Sequence, residues 1–337
     1  MNKYVKKELD RASKRINLYE SMTDNEKEDF IKVLLNEIRD VSFEYYSSDD
    51  KQKEEIIDIL LDDYNIIIHY IKQAPGNYAK IYKSLIGIPY VYLIDQKPET
   101  FDINEDLLDS INVDEGLTME QANELLRWTS NNTRKNINIC NIQSNHPEKN
   151  SYENDSLGGV CGFSQFSSLY PLQQLGLKTT VNNTWSISIS HAFGTVIIPI
   201  KTNEGIIEKQ FVIDCTYRQF FLVDDNVIAQ YEPTDHHYAP LPGFFVMQDE
   251  SNIEFAKEVL KNGFFELTEE NIKYYFKPFF SFKYDLKDLD KIDEDFTKLD
   301  MINIINSEQE DFEYSKEEFD EWGMNLSLPN QEISFTK

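Results

Sequence analysis

The sequence predicts an α+β protein: a mainly helical N-terminal region, then a helix followed by antiparallel strands. Three observations carry this. Apolar residues in the first 75 positions recur at helical spacing, as in Ile31, Leu34, Leu35 and Ile38. After Cys161, Phe166, Leu169, Leu172 and Leu175 mark one face of a further helix. Beyond it the pattern shifts to short apolar runs at 186–200, 207–214 and 219–223, which read as strands.

Each element has a local reason. Thr23-Asp24-Asn25-Glu26 has the form of a capping box, so a helix begins there. A second helix is expected from about Lys51 to Lys72, with Ile56, Ile59, Leu60 and Asp63 in step, and Ala74-Pro75-Gly76 ends it. Ile88 to Ile94 is strand-like. Thr118 to Trp128 is helical again, with Thr118 and Gln121 as its cap. The Asn- and Ser-rich stretch 131–157 reads as a polar linker. Pro171 is expected to shorten or kink the helix after Cys161. Later helices are expected at about Asn252–Lys261 and Glu269–Phe276. The expected organisation is a helical region 1–130, the linker 131–157, a catalytic domain 158–280 and an acidic C-terminal region 281–337.

Bulk properties narrow the function. With 337 residues, 40% of them hydrophobic and 13% aromatic, the chain can bury a substantial core. A formal charge of −27 argues against nucleic acid as a partner, because phosphates would be repelled, and is compatible with a basic protein partner. The N-terminus shows no apolar signal segment, and no run reaches the length of a membrane span. Three cysteines without disulfide-like spacing fit reduced thiols. The expected location is the cytoplasm, or another cell reached without a classical signal peptide.

The chemistry centres on Cys161 in Gly158-Gly159-Val160-Cys161-Gly162-Phe163-Ser164. Small residues bring the backbone close, and the thiol then sits at the start of a helix, where the helix dipole favours a thiolate. His191 opens one apolar run and Asp214 closes another. Cysteine, histidine and aspartate in that order are a thiol nucleophile, its base and the group that orients the base. Lys201-Thr202-Asn203-Glu204-Gly205 is a hairpin turn between the two runs. If it centres between Thr202 and Asn203, His191 lies directly opposite Asp214. A shift of two residues leaves them diagonal, whereas a slip of one puts them on opposite faces.

Taken singly, each residue has a plainer reading. A cysteine in an apolar chain is usually core, a histidine opening a strand is usually structural, and an aspartate after Phe-Val-Ile commonly ends a strand. It is their order and the Gly-rich lead-in that favour catalysis. Cys215 reads as a small buried hydrophobe and Cys140 as a linker or edge residue. His69 reads as structural and His146 as a surface residue. His236 and His237 do not make a metal site, since adjacent strand residues point apart and no third ligand is evident. No metal or cofactor is expected.

These residues resemble a known group. Gly-Val-Cys-Gly-Phe-Ser is similar to the cysteine motif of papain-fold enzymes, although the short Cys-to-His separation differs from that of papain itself. The compact order resembles transglutaminase-like enzymes and the glutamine deamidases of bacterial toxins and effectors, of the Pasteurella mitogenic toxin type. Asp214-Cys215-Thr216-Tyr217-Arg218-Gln219-Phe220 is similar to the Asp-Pro-Thr-Tyr-x-Gln-Phe pattern of that group, with Cys215 in place of the proline. Pro240 to Phe244 and Ala256 to Tyr274 fit such domains loosely. The resemblance covers roughly 155–280. It implies a papain-like catalytic domain with the cysteine on a helix and the histidine and aspartate on an antiparallel sheet. It also adds Gln219 to the site, as an amide donor near the oxyanion.

The expected function is thiol-dependent acyl transfer on a protein or peptide substrate, with glutamine deamidation favoured on the Asp–Gln segment. Proteolysis and transamidation use the same three residues and stay open. So does a different class, a catalytically silent papain-like binding protein acting through its acidic surface.

Overall fold

A computed structural model describes residues 15–73, 81, 98–143, 160–183, 191–221, 250–280, 305 and 315–328. The chain is α+β and divides into two compact units. The first comprises 1–95, 220–254 and 277–296; the second comprises 96–219, 255–276 and 297–337. Cys161, His191, Asp214 and Gln219 all belong to the second.

In the first unit, α1 (Asp24–Glu44) starts at the expected capping box. The Thr23 N–H donates to Glu26 Oε2 at 2.8 Å, and the Glu26 N–H reaches Thr23 Oγ1 at 3.5 Å. Ile31, Leu34, Leu35 and Ile38 are buried, as their spacing requires. Helix α2 (Asp50–Gln73) packs against α1. It buries Ile56, Leu60, Tyr64 and Ile67 along one stripe, with Asp63 buried beside it and held by Arg15 at 2.8 Å.

The second unit holds α3 (Glu105–Asp109), α4 (Met119–Gln143), α5 (Cys161–Gln174), β1 (Lys178–Asn183), β2 (Ala192–Thr202), β3 (Gly205–Ile213) and β4 (Phe264–Glu266). The Thr118–Gln121 cap forms in both directions: Gln121 N–H to Thr118 Oγ1 at 3.1 Å, and Thr118 N–H to Gln121 Oε1 at 2.9 Å. Helix α4 then runs through 131–143, which had been expected to be linker. Asn132, Arg134 and Asn136 are buried there, and distant backbone satisfies them. Asn132 and Asn136 donate to the Asn325 carbonyl at 2.7 and 3.0 Å. Arg134 donates to the carbonyls of Glu99 at 2.8 Å and Lys261 at 2.9 Å. The boundary expected at 130 therefore falls inside a helix, and the chain passes between units near residue 95.

The four strands form one antiparallel sheet in the order β1-β2-β3-β4. The hairpin between β2 and β3 closes on Asn203-Glu204, with Thr202 opposite Gly205, so its centre lies one residue later than expected. Cross-strand partners move by two, which preserves the face each side chain points to. Pro171 sits inside α5 without ending it. The run 219–223, expected as a strand, instead enters as a 3-10 turn, Tyr217–Phe221, in which the Gln219 N–H bonds the Thr216 carbonyl at 3.0 Å. Strand β1 was not foreseen, since Lys178-Thr179-Thr180-Val181-Asn182-Asn183 carries too few apolar residues to stand out.

Helix α5 lies on β1 and β2, and α4 on α5. Between them Leu125, Leu126, Leu169, Leu172, Val196, Ile198, Phe211 and Ile213 form the core. A second cluster sits nearer Cys161, where Phe319 of α8 (Lys316–Glu321) stacks on Phe163 with centroids 4.7 Å apart. Two helices extend past the second unit: α6 (Glu250–Asn262) and α7 (Glu269–Phe280), near the bounds expected for them. The Ile88–Ile94 segment, Gly158-Gly159, His146, His236-His237 and Pro240–Phe244 lie outside the described residues, as does most of 281–314. No helix among the described residues is long and apolar enough to cross a membrane.

Candidate active site

Cys161 is the first residue of α5. The N-cap, Val160, makes no side-chain cap bond, and the first N–H groups of a helix have no partner within the helix itself. Two contacts set the helix against the sheet. The Gln165 amide, one turn after Cys161, donates to the Asn182 carbonyl on β1 at 2.8 Å and to the Phe193 carbonyl on β2. Gly194 then lets the helix approach closely: a Cβ there would stand 2.6 Å from Leu169.

His191 immediately precedes β2 and is fully buried. Its Nε2 lies 2.8 Å from Asp214 Oδ2, and the Cys161 thiol bonds the same imidazole. Asp214 follows β3, and its backbone N–H bonds the Gly263 carbonyl at 2.9 Å. Thr216 closes a tight turn on the other carboxylate oxygen, its N–H and its hydroxyl each 2.9 Å from Asp214 Oδ1. The Tyr275 hydroxyl of α7 donates to Oδ2 at 2.7 Å. Gln219 is buried, and its Nε2 lies 3.1 Å from the Thr216 carbonyl and 3.3 Å from His191 Nδ1.

The four residues singled out from sequence therefore come together. Tyr275 and Gln165 join them unforeseen. Thr216 stood in the quoted motif, where an Asp two residues before a Thr is a turn signature. Tyr275 follows Ile272 in a helical stripe and reads as core by spacing alone.

The electrostatics follow from burial opposed by pairing. Burial pushes the Cys161 thiol up, but the hydrogen bond and charge of His191, with the Ala192 N–H, together hold it below the ordinary thiol value. Burial pushes His191 down, and the charge and hydrogen bond of Asp214, with Cys161, raise it to about 9. Burial pushes Asp214 up, and His191, Tyr275 and Thr216 outweigh it and keep the carboxyl below its ordinary value. Each direction favours the charged form: thiolate for Cys161, imidazolium for His191, carboxylate for Asp214. Cys215 is the contrast: its burial beside Asp214 pushes it to about 11 despite Arg134 nearby. Among the described residues no cluster of three or more His, Cys, Asp or Glu could hold a metal ion. His69 belongs to the first unit, where it sits 3.4 Å from Glu20.

No family model, no curated protein and no solved structure matches the chain.

Proposed function

We propose that the chain is a thiol-dependent acyl-transfer enzyme of papain-like, transglutaminase-like architecture, acting as a protein glutamine deamidase. The observation that carries the reading is the buried His191–Asp214 pair at 2.8 Å, with its imidazole bonded to a half-buried thiol at a helix start. At Cys215, by contrast, burial outweighs Arg134 and Ser130 and drives the group toward the neutral thiol.

In this reading the Cys161 thiolate attacks the carboxamide carbon of a glutamine side chain. The negative charge that develops on oxygen is met by the uncapped N–H groups at the start of α5, with the Gln219 amide as a further donor. The His191 imidazolium gives its proton to the departing ammonia, leaving a thioester and a neutral imidazole. That imidazole takes a proton from water as the water attacks the thioester, which releases the glutamate side chain and restores the ion pair. Asp214 holds the ring and its charge throughout.

The deamidation preference rests on the Asp-x-Thr-Tyr-x-Gln-Phe resemblance, whose Asp214, Thr216 and Gln219 gather around His191. The test is to incubate the protein and a Cys161→Ser control with a glutamine-rich unfolded protein. Ammonia release that depends on Cys161, with peptide bonds intact, is the expected result. New N-termini would make it a peptidase, incorporation of an added amine a transglutaminase. No thiol-dependent product, with Cys161 alkylating like an ordinary thiol, would overturn the enzyme reading in favour of a silent binding protein.

A further inference from the structure

The two oxygens of Asp214 have different kinds of donor. Oδ1 is held by Thr216, two residues along the same turn, and those bonds would follow the carboxylate wherever the turn went. Oδ2 is shared between His191 Nε2 at 2.8 Å and the Tyr275 hydroxyl at 2.7 Å. Tyr275 arrives from a separate helix, so it relates the carboxylate to an independent part of the unit. Its own place is fixed by aromatic neighbours. It stacks on Tyr217 with centroids 5.1 Å apart, meets Phe193 edge-on at 5.6 Å, and touches Phe265 at 5.1 Å and Phe276 at 4.9 Å. The phenol is fully buried. A carboxylate in such surroundings loses its hydration and tends toward the neutral acid. A short O–H···O⁻ bond opposes that tendency.

We propose that Tyr275 is a positioning residue of the thiol site: its hydroxyl fixes Asp214 Oδ2 against His191 Nε2 and keeps that carboxylate ionised, so that the imidazole stays charged beside Cys161. This rests on the reading of Cys161 as a nucleophile. Among the described residues, the titratable groups around Asp214 are His191 before β2, Cys161 at the start of α5, Tyr217 in the following turn, Tyr275 on α7 and the neighbouring Cys215, with Arg134 of α4 beside Cys215. Burial and then the adjacent carboxylate push the Tyr275 phenol well above its ordinary value, so it remains a donor across the working range. The exchange of protons on the acid side therefore belongs to Asp214, His191 and Cys161.

The test is Tyr275→Phe, which keeps the ring and its stacking and removes only the hydroxyl. Iodoacetamide labelling of Cys161 is followed across pH by mass spectrometry in wild type, Tyr275→Phe and Tyr274→Phe. The last lies on the same helix but bonds Glu270. The expected result is an acid limb displaced upward by about one pH unit in Tyr275→Phe alone, with the alkaline plateau retained. An acid limb that stays put in a folded Tyr275→Phe protein overturns the assignment. A second measurement does not depend on thiol chemistry: NMR titration of the His191 ring in a Cys161→Ser background, with and without Tyr275→Phe. The low-pH step, in which Asp214 takes its proton, should rise by about one unit. An unchanged step overturns the role of Tyr275 even where Cys161 proves activated. A displaced step beside an ordinary Cys161 sustains Asp214's dependence on Tyr275 and removes the nucleophile reading instead.

Discussion

Gly194 and Leu169 meet where the helix that starts at Cys161 crosses the strand that follows His191, and a Cβ on Gly194 would lie 2.6 Å from the leucine side chain. The distance between thiol and imidazole elements is thus set partly by the absence of a side chain. Gly194→Ala is expected to cost about 1–3 kcal/mol of stability through overpacking, read as a lower urea midpoint. It should also slow Cys161 alkylation by moving α5 outward. Adding Leu169→Ala should recover part of both effects. Strictly additive losses would show that the contact does not set the spacing.

The ion pair gives a sharper expectation for the site itself. His191→Ala removes the groups that offset burial, so Cys161 should alkylate only at or above about pH 8.5, as an ordinary or disfavoured thiol does. Asp214→Asn should lower turnover by about 10²–10⁴-fold while the protein stays folded. Wild-type alkylation in the first variant, or wild-type turnover in the second, would contradict the pairing.

The same pair makes stability depend on pH. His191 is raised in the folded chain to about 9, from about 6.5 when unfolded. Its contribution is therefore complete below pH 6.5, declines as the pH rises toward 9, and is gone above that. Asp214 is lowered, so its contribution is present above about pH 3.9 and is lost as the pH falls through its folded value. Cys161 is lowered in the folded chain and offsets this over much of the same range, so urea unfolding followed from pH 6 to 10 in a Cys161→Ser background should show the fall that His191 contributes. A His191→Gln variant with the same slope would assign the fall elsewhere.

Cys215 supplies an internal control. It is buried and driven to about 11, so it should resist iodoacetamide in the native protein at every pH where Cys161 reacts. It should label once the chain is denatured. Native labelling of Cys215 as fast as Cys161 would show that access, and not imidazole pairing, governs both.

Phe319 extends the argument to the acidic C-terminal region. It is fully buried, stacks on Phe163 and lies 4.7 Å from Phe166, both on the cysteine helix. Phe319→Ala should cost about 3–5 kcal/mol. A fragment of residues 131–280 would lack this cover and the first half of α4, and should show no cooperative unfolding transition. Cooperative unfolding of that fragment would show that 158–280 is a self-sufficient domain.

Much of the site was legible in the sequence because its residues are tied to local signals. His191 and Asp214 flank a recognisable turn, and a two-residue error in its register left them on the same side. Cys161 follows small residues and starts a helix whose Phe166, Leu169 and Leu172 recur at helical spacing. Tyr275 was not legible, since a tyrosine at i+3 from Ile272 is written like any core residue, and its hydroxyl acquires meaning only from a carboxylate 61 residues away. The helix through 131–143 was hidden for a related reason. Asn132, Arg134 and Asn136 look like solvent-facing linker, but their partners are carbonyls at Glu99, Lys261 and Asn325. Sequence periodicity registers apolar burial and is blind to polar burial satisfied from afar.

The Asn325 carbonyl that accepts from Asn132 and Asn136 has a consequence for how the protein is made. A nascent chain extended as far as residue 280 already carries Cys161, His191, Asp214 and Tyr275. It still lacks the aromatic floor of Phe319 and Trp322 beneath the cysteine helix and the acceptor for the two asparagines. Synthesis order thus holds back the packing around the nucleophile until residues 315–328 emerge, so a truncated product left by a stalled ribosome would have every reacting group and no settled place for them.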